Sequence, residues 1–129
     1  MSKQIIHELA MATQQGRMTF PQVVQGLLEV GVESYFVDFA KMEDTIYMPG
    51  GATHVEKVEV VRRDVAGEFS HIGVVAAIRA AQRDEIRYPE FARRAVDAGV
   101  VGYWAFLTRQ RVVYFGRKGE FHVEEFPGK

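Results

Sequence analysis

The stretch YPEFARRAVDAGVVGYW, residues 88–104, repeats in outline FPQVVQGLLEVGVESYF, residues 20–36. A shift of 68 positions sets Pro21 on Pro89, Gly31 on Gly99, Val32 on Val100 and Tyr35 on Tyr103. One residue of slack then brings Tyr47 onto Tyr114. The original shift returns to set His54-Val55-Glu56 on His122-Val123-Glu124. Like-for-like pairs such as Phe20/Tyr88, Glu29/Asp97, Phe36/Trp104 and Lys41/Arg109 fill the intervals. We read the chain as an internal duplication, one domain over 1–129 made of two repeats, about 1–66 and 67–129.

Each repeat opens on a helical pattern. Ile5, Ile6, Leu9 and Ala12 recur at helical spacing in the first, and Val74, Ala77, Ile78 and Ala81 in the second. Ser2 and Ser70 are candidate caps, and Gly16 can end the first helix. A shorter helix follows, with proline in its first turn, where a missing N–H costs nothing. Thr19 and Gln22 have capping-box spacing, which Arg87 breaks in the second copy. The stripes to be buried are Val23, Val24, Leu27 and Leu28, and then Phe91, Ala92, Ala95 and Val96. Gly31 and Gly99 stand where a left-handed turn closes each helix.

Strands come next. VESYFVDF alternates, with Tyr35, Val37 and Phe39 on one face and Val32, Ser34 and Phe36 on the other. Its counterpart VVGYWAFL is apolar on both faces, the pattern of a central strand covered on each side. TIYM and VVYF lead into the glycine turns PGGA and GRKG, and THVEKVEV and EFHVEEF follow, so the hairpins are antiparallel. Each half reads helix–helix–strand–strand–strand. A unit of about 60 residues has little core of its own. The expectation is therefore an α+β domain with an antiparallel sheet, the two halves packed about a pseudo-twofold axis and joined at GEFSH, 67–71.

The bulk properties narrow the function. The chain has 129 residues, 47% of them hydrophobic, 26% charged, and no cysteine. Cysteine chemistry, disulfides and Cys-built zinc sites are excluded. No signal-like or membrane-spanning run is present, so a cytoplasmic protein with no membrane partner is expected. The net charge is −1, split as −3 over residues 1–66 and +2 over residues 67–129, which gives nucleic acid no basic surface by charge alone. Arg109, Arg111, Arg117 and Lys118 do cluster around the last hairpin with Tyr114 and Phe115 between them. That interleaving can serve single-stranded nucleic acid, but a hairpin kept soluble by surface charge accounts for it. PGGAT lacks the lysine of a phosphate-binding loop, and no GxSxG elbow occurs.

The repeated aromatic-Pro, Gly-Val and Tyr positions, with GVVGYWAFLTRQRVVYFGRKGEFHVEEF as the most specific stretch, resemble the YdfO-like proteins. These are small bacterial proteins found in enterobacteria and their prophages, some labelled phage envelope protein. The resemblance covers nearly all of the chain. It implies a bacterial, prophage-associated source and carries no catalytic residues over.

The candidate chemistry lies in the duplicated polar and aromatic groups. His54 and Glu56 are two apart on a strand and share a face, as do His122 and Glu124. If the halves bring them together near the axis, the four would suit a divalent metal such as zinc, iron or manganese, or an acid–base pair. Tyr35 and Tyr103 join them as candidate ligand-binding residues, although large strand aromatics usually pack. No cofactor is required by the sequence; a divalent metal is the one that this set would accept. The reading favoured is a binding or regulatory module without catalysis, contacting a protein or small-molecule ligand and able to pair with a second copy. An enzyme or metal protein using the His-x-Glu pairs is the alternative.

Overall fold

The computed structural model describes residues 2–60 and 64–127. Its elements run α1 (Lys3–Gln14), α2 (Phe20–Glu29), β1 (Ser34–Asp38), β2 (Glu43–Tyr47) and β3 (Thr53–Lys57). They continue as α3 (His71–Gln82), α4 (Tyr88–Asp97), β4 (Val100–Phe106), β5 (Arg111–Gly116) and β6 (Phe121–Glu125). The protein is α+β, and its six strands form one antiparallel sheet in the order β3-β2-β1-β4-β5-β6.

Local chemistry explains the helix ends. The Thr19 side chain accepts from the Gln22 N–H while the Gln22 side chain accepts from the Thr19 N–H, the complete capping box. Ser70 caps α3 by accepting from the Gly73 N–H. Ser2 precedes α1 but makes no side-chain cap bond. Arg87 makes none either and turns aside, bonding Asp84 and the Gly16 carbonyl. The buried stripes are narrower than their spacing implies. Ile6, Ala12, Val23 and Leu27 are buried, whereas Ile5 and Leu28 are exposed. In α4 all four expected residues are buried.

The elements of the first half recur 68 residues later: α1 with α3, α2 with α4, β3 with β6. So do the backbone conformations with positive φ, which pair as Gly16/Asp84, Gly31/Gly99, Met42/Gln110 and Gly51/Gly119. This spacing holds through the hairpins. The one-residue offset expected between Tyr47 and Tyr114 is absent: Tyr47 lies opposite Ser34, while Tyr114 alternates with Val112 on the buried face. Ile46 is the position that matches Tyr114, and both are buried.

In the middle of the sheet, β1 pairs antiparallel with β4 in a register that sets Phe36 opposite Trp104. All four helices contact the face that carries Tyr35, Val37, Tyr103 and Ala105. There Phe91 of α4 packs on Tyr103, His7 of α1 reaches Glu56, and Arg79 of α3 reaches Glu124. The core draws on both halves, with Ile6, Val23 and Val37 beside Val74, Ala92 and Ala105. Burying each of the larger aliphatic side chains contributes about 1.5–3 kcal/mol. The double-sided cover expected for VVGYWAFL is not found. No helix lies over the Phe36 and Trp104 side among the described residues, and Trp104 and Phe106 are only half-buried there.

The two helix-closing glycines differ in their surroundings. Gly99 has φ +95°, and a Cβ there would lie 2.4 Å from the Glu68 carbonyl oxygen. Gly31 has φ +85°, and a Cβ would meet nothing closer than the Met48 terminal methyl at 3.6 Å. Gly31→Ala should therefore cost about 1 kcal/mol for the backbone conformation alone. Gly99→Ala should cost clearly more, because the clash is with main chain. Denaturant melts of the two variants check this, and equal losses would contradict it.

Candidate functional site

The sheet order answers where the duplicated His-x-Glu pairs lie. His54 and Glu56 are on β3, His122 and Glu124 on β6, and these are the two outer strands. Five strand spacings separate them, about 24 Å. They do not converge near the centre; third strands become edges once the first strands pair. Each His and Glu does share a face, and each carboxylate is already engaged. Glu56 takes His7 Nδ1 at 2.8 Å and His54 Nε2 at 2.5 Å. Glu124 takes His122 at 3.0 Å, Arg79 at 2.6 Å and Gln82 at 3.2 Å. Burial opposes ionisation of Glu124, but the hydrogen bonds from Arg79, His122 and Gln82 outweigh it and lower its pKa. The His122 ring also meets His71 edge-on at 4.7 Å. Among the described residues no group of three or more His, Cys, Asp or Glu is arranged to hold a metal.

The tyrosines are brought together. Tyr35 and Tyr103 face the helices from the two central strands, ring centroids 6.3 Å apart and edge-on. The Tyr103 hydroxyl donates to that of Tyr88, at the first turn of α4, over 2.8 Å. Above them, between α1–α2 and α3–α4, runs a crevice in two adjoining chambers that share Thr13, Val23 and Tyr88. The first is walled by Phe20, Ile78, Ile86, Phe91, Val112 and Tyr114. The second, a cavity of about 50 Å³, is walled by Leu9, Leu27, Tyr35, Ile46, Tyr103 and Asp44.

Asp44 is the group out of place. On β2 it alternates with buried Ile46 and lies opposite Val37, so it points at the helices rather than at solvent. Its Oδ1 is shielded from solvent and has no hydrogen-bond partner among the described residues. Burial, with the charge of Glu56 second, pushes the Asp44 carboxyl up to about 8. Burial also raises the hydroxyls of Tyr35, Tyr88 and Tyr103, each further raised by the Asp44 charge. Burial thus favours the protonated form of the acid in the second chamber, as it does for the three phenols beside it.

The opposite face is aromatic and open. Trp104 stacks on Tyr47 and on Phe106, both at 5.5 Å, and leans on Phe36 at 5.1 Å. Its indole N–H donates to Ser34 Oγ, 3.2 Å away. Val55, Phe121 and Val123 continue this face as exposed side chains. The basic residues of the last hairpin are largely spoken for: Arg111 pairs with Glu125, Lys118 with Glu68, and Arg117 bonds the Val65 carbonyl. No helix among the described residues is long and apolar enough to cross a membrane.

Sequence patterns singled out Tyr35 and Tyr103 but missed Asp44, Tyr88 and His7. For Asp44 the signal was parity, since a strand that buries Ile46 must turn Asp44 inward too. Tyr88 and His7 lie on helices, and nothing local ties them to the sheet. Comparison with protein-family models and with curated proteins finds no match to the chain.

The raised Asp44 pKa sets a pH dependence. The folded protein keeps a proton that the unfolded chain, with a carboxyl near 3.8, has lost. The Asp44 contribution to stability is therefore greatest below about 4, falls as pH rises toward 8, and levels off beyond. Asp44→Asn removes that decline. At pH 8.5 it should be more stable than the parent by at least about 1 kcal/mol, the two converging toward pH 4. Denaturant melts across this range test it; curves that stay parallel would contradict it.

Proposed function

We propose that the protein is a small non-catalytic binding module that takes a small-molecule ligand in the crevice between its two helical pairs. The observation that carries this reading is Asp44, one of whose oxygens has no hydrogen-bond partner among the described residues, in the wall of a chamber otherwise lined by apolar side chains, three tyrosines, Thr13 and Gln14. Apolar concavities with a few converging polar groups are the ordinary form of a ligand site. The His-x-Glu pairs support a structural role better than a chemical one, because each carboxylate is bonded to its own neighbours at a separate edge.

We infer further that the crevice is the seam between two copies of one unit, related by a local twofold through Phe36 and Trp104. The β1–β4 register supports this, since Ser34↔Phe106 and Asp38↔Gly102 exchange under a 68-residue shift. The hydrogen bonds Phe39 N–H to Val101 and Leu107 N–H to Glu33 exchange in the same way. A cytoplasmic, prophage-associated bacterial role, as in the YdfO-like proteins it resembles, belongs to the same reading. A second reading, in which the open face around Trp104 docks a protein or a second copy, is favoured by the exposed Val55, Phe121 and Val123.

An NMR screen with small uncharged and charged organic fragments separates the two. The crevice reading predicts shifts clustered at Val23, Ile78, Tyr88 and Phe91. Shifts confined to Tyr47, Trp104 and Phe106, or no shifts at all, would contradict it.

A further inference from the structure

We propose that the chamber over Asp44 takes a small organic cation, an ammonium group on a short aliphatic body. The proposal rests on the crevice being the binding site and names the chemistry that it recognises. Asp44 lines the chamber, one of its carboxyl oxygens is shielded from solvent and has no hydrogen-bond partner among the described residues, and no described lysine or arginine lines the chamber. Among the described residues the groups facing Asp44 are Glu56 across the β2–β3 ladder, Tyr35 from β1, Tyr103 from β4 and Tyr88 from α4. None is a cation. The nearby imidazoles, His7 from α1 and His54 from β3, are spent on Glu56. Gln14 and Thr13 of α1 bond backbone carbonyls, and the Gln14 carbonyl oxygen accepts from the Glu59 N–H.

A buried carboxyl so placed has two ways to avoid an unpaired charge. It keeps its proton when the chamber holds no cation, or it ionises against a cation that enters. On entry the acid O–H breaks, its proton leaves to solvent, and an ammonium N–H donates to the carboxylate in its stead. That bond is charge-assisted and strong. The faces of Tyr35, Tyr88 and Tyr103 add attraction for positive charge, while Leu9, Leu27 and Ile46 receive the aliphatic part. An anion would meet Asp44 and Glu56 together and be repelled. A neutral molecule gains the apolar contacts alone.

The test titrates the protein with n-butylammonium and with 1-butanol, its uncharged analogue of the same length, from pH 6 to 9, following crevice resonances by NMR. Burial, with the charge of Glu56 second, pushes the Asp44 carboxyl up to about 8. Butylammonium affinity should then rise close to tenfold per pH unit below 8 and level off above it, while butanol affinity stays flat. Asp44→Asn should weaken butylammonium at least tenfold and leave butanol within twofold. If butanol shifts the crevice residues while butylammonium binds no better, or if the Asn variant binds butylammonium like the parent, the cation assignment falls and the crevice stands. If neither molecule shifts a crevice residue, both fall.

Discussion

β1 and β4 meet antiparallel at the middle of the sheet, with Phe36 opposite Trp104, and this pairing decides where the other groups lie. A three-stranded sheet with two helices has too little interior to stand comfortably alone. Joining two such sheets at their first strands makes one continuous interior, into which Val37, Ala105, Val74 and Ala92 are all packed. The junction also fixes a gradient across the molecule. Groups on first strands come to the centre, and groups on third strands go to the rim.

The chemistry of the two regions follows from that gradient. At the rim, β3 and β6 leave unpaired backbone toward solvent and carry charged or titratable side chains, as edge strands do to discourage further pairing. Glu56 and Glu124 are held there by partners from the helices above, His7 in one half and Arg79 with Gln82 in the other. At the centre the two helical pairs cannot close completely over the seam. The gap is lined by tyrosines whose hydroxyls need partners, and Tyr103 finds one in Tyr88. Asp44 sits beside them with an oxygen that finds none among the described residues. Burying such a group is costly, and the proposed ligand would offset that cost.

Much of the fold was legible because it is local. Thr19 with Gln22, Ser70 before α3, and Gly31 and Gly99 after α2 and α4 carry their meaning within a few residues. So does the alternation of Tyr35, Val37 and Phe39. What was not legible depends on how distant strands order themselves. His-x-Glu recurrence says that each pair shares a face; it does not say that third strands end up at opposite edges. Likewise VVGYWAFL is apolar on both sides, yet only one side is roofed, because all four helices lie on the Tyr103 face. Tyr47 and Tyr114 look alike in sequence and occupy opposite faces, since the spacing of 68 runs through the hairpins without a break. Asp44 was hidden in plain alternation: a charged residue reads as solvent-facing until its neighbour Ile46 is known to be buried.

The open aromatic face and the tyrosine-lined crevice are two sides of the same central strands, so both depend on the junction staying closed. Native-state hydrogen exchange at two amides reads it directly. The Phe39 N–H donates to Val101 and the Leu107 N–H to Glu33, at 2.9 and 3.1 Å, and both bonds cross from one half to the other. If β1–β4 pairing holds the molecule together, these amides exchange only with global unfolding, as slowly as the best-protected amides of either hairpin. Exchange at Phe39 and Leu107 that outpaces the hairpins would mean the halves part while each stays folded, and the account would be wrong.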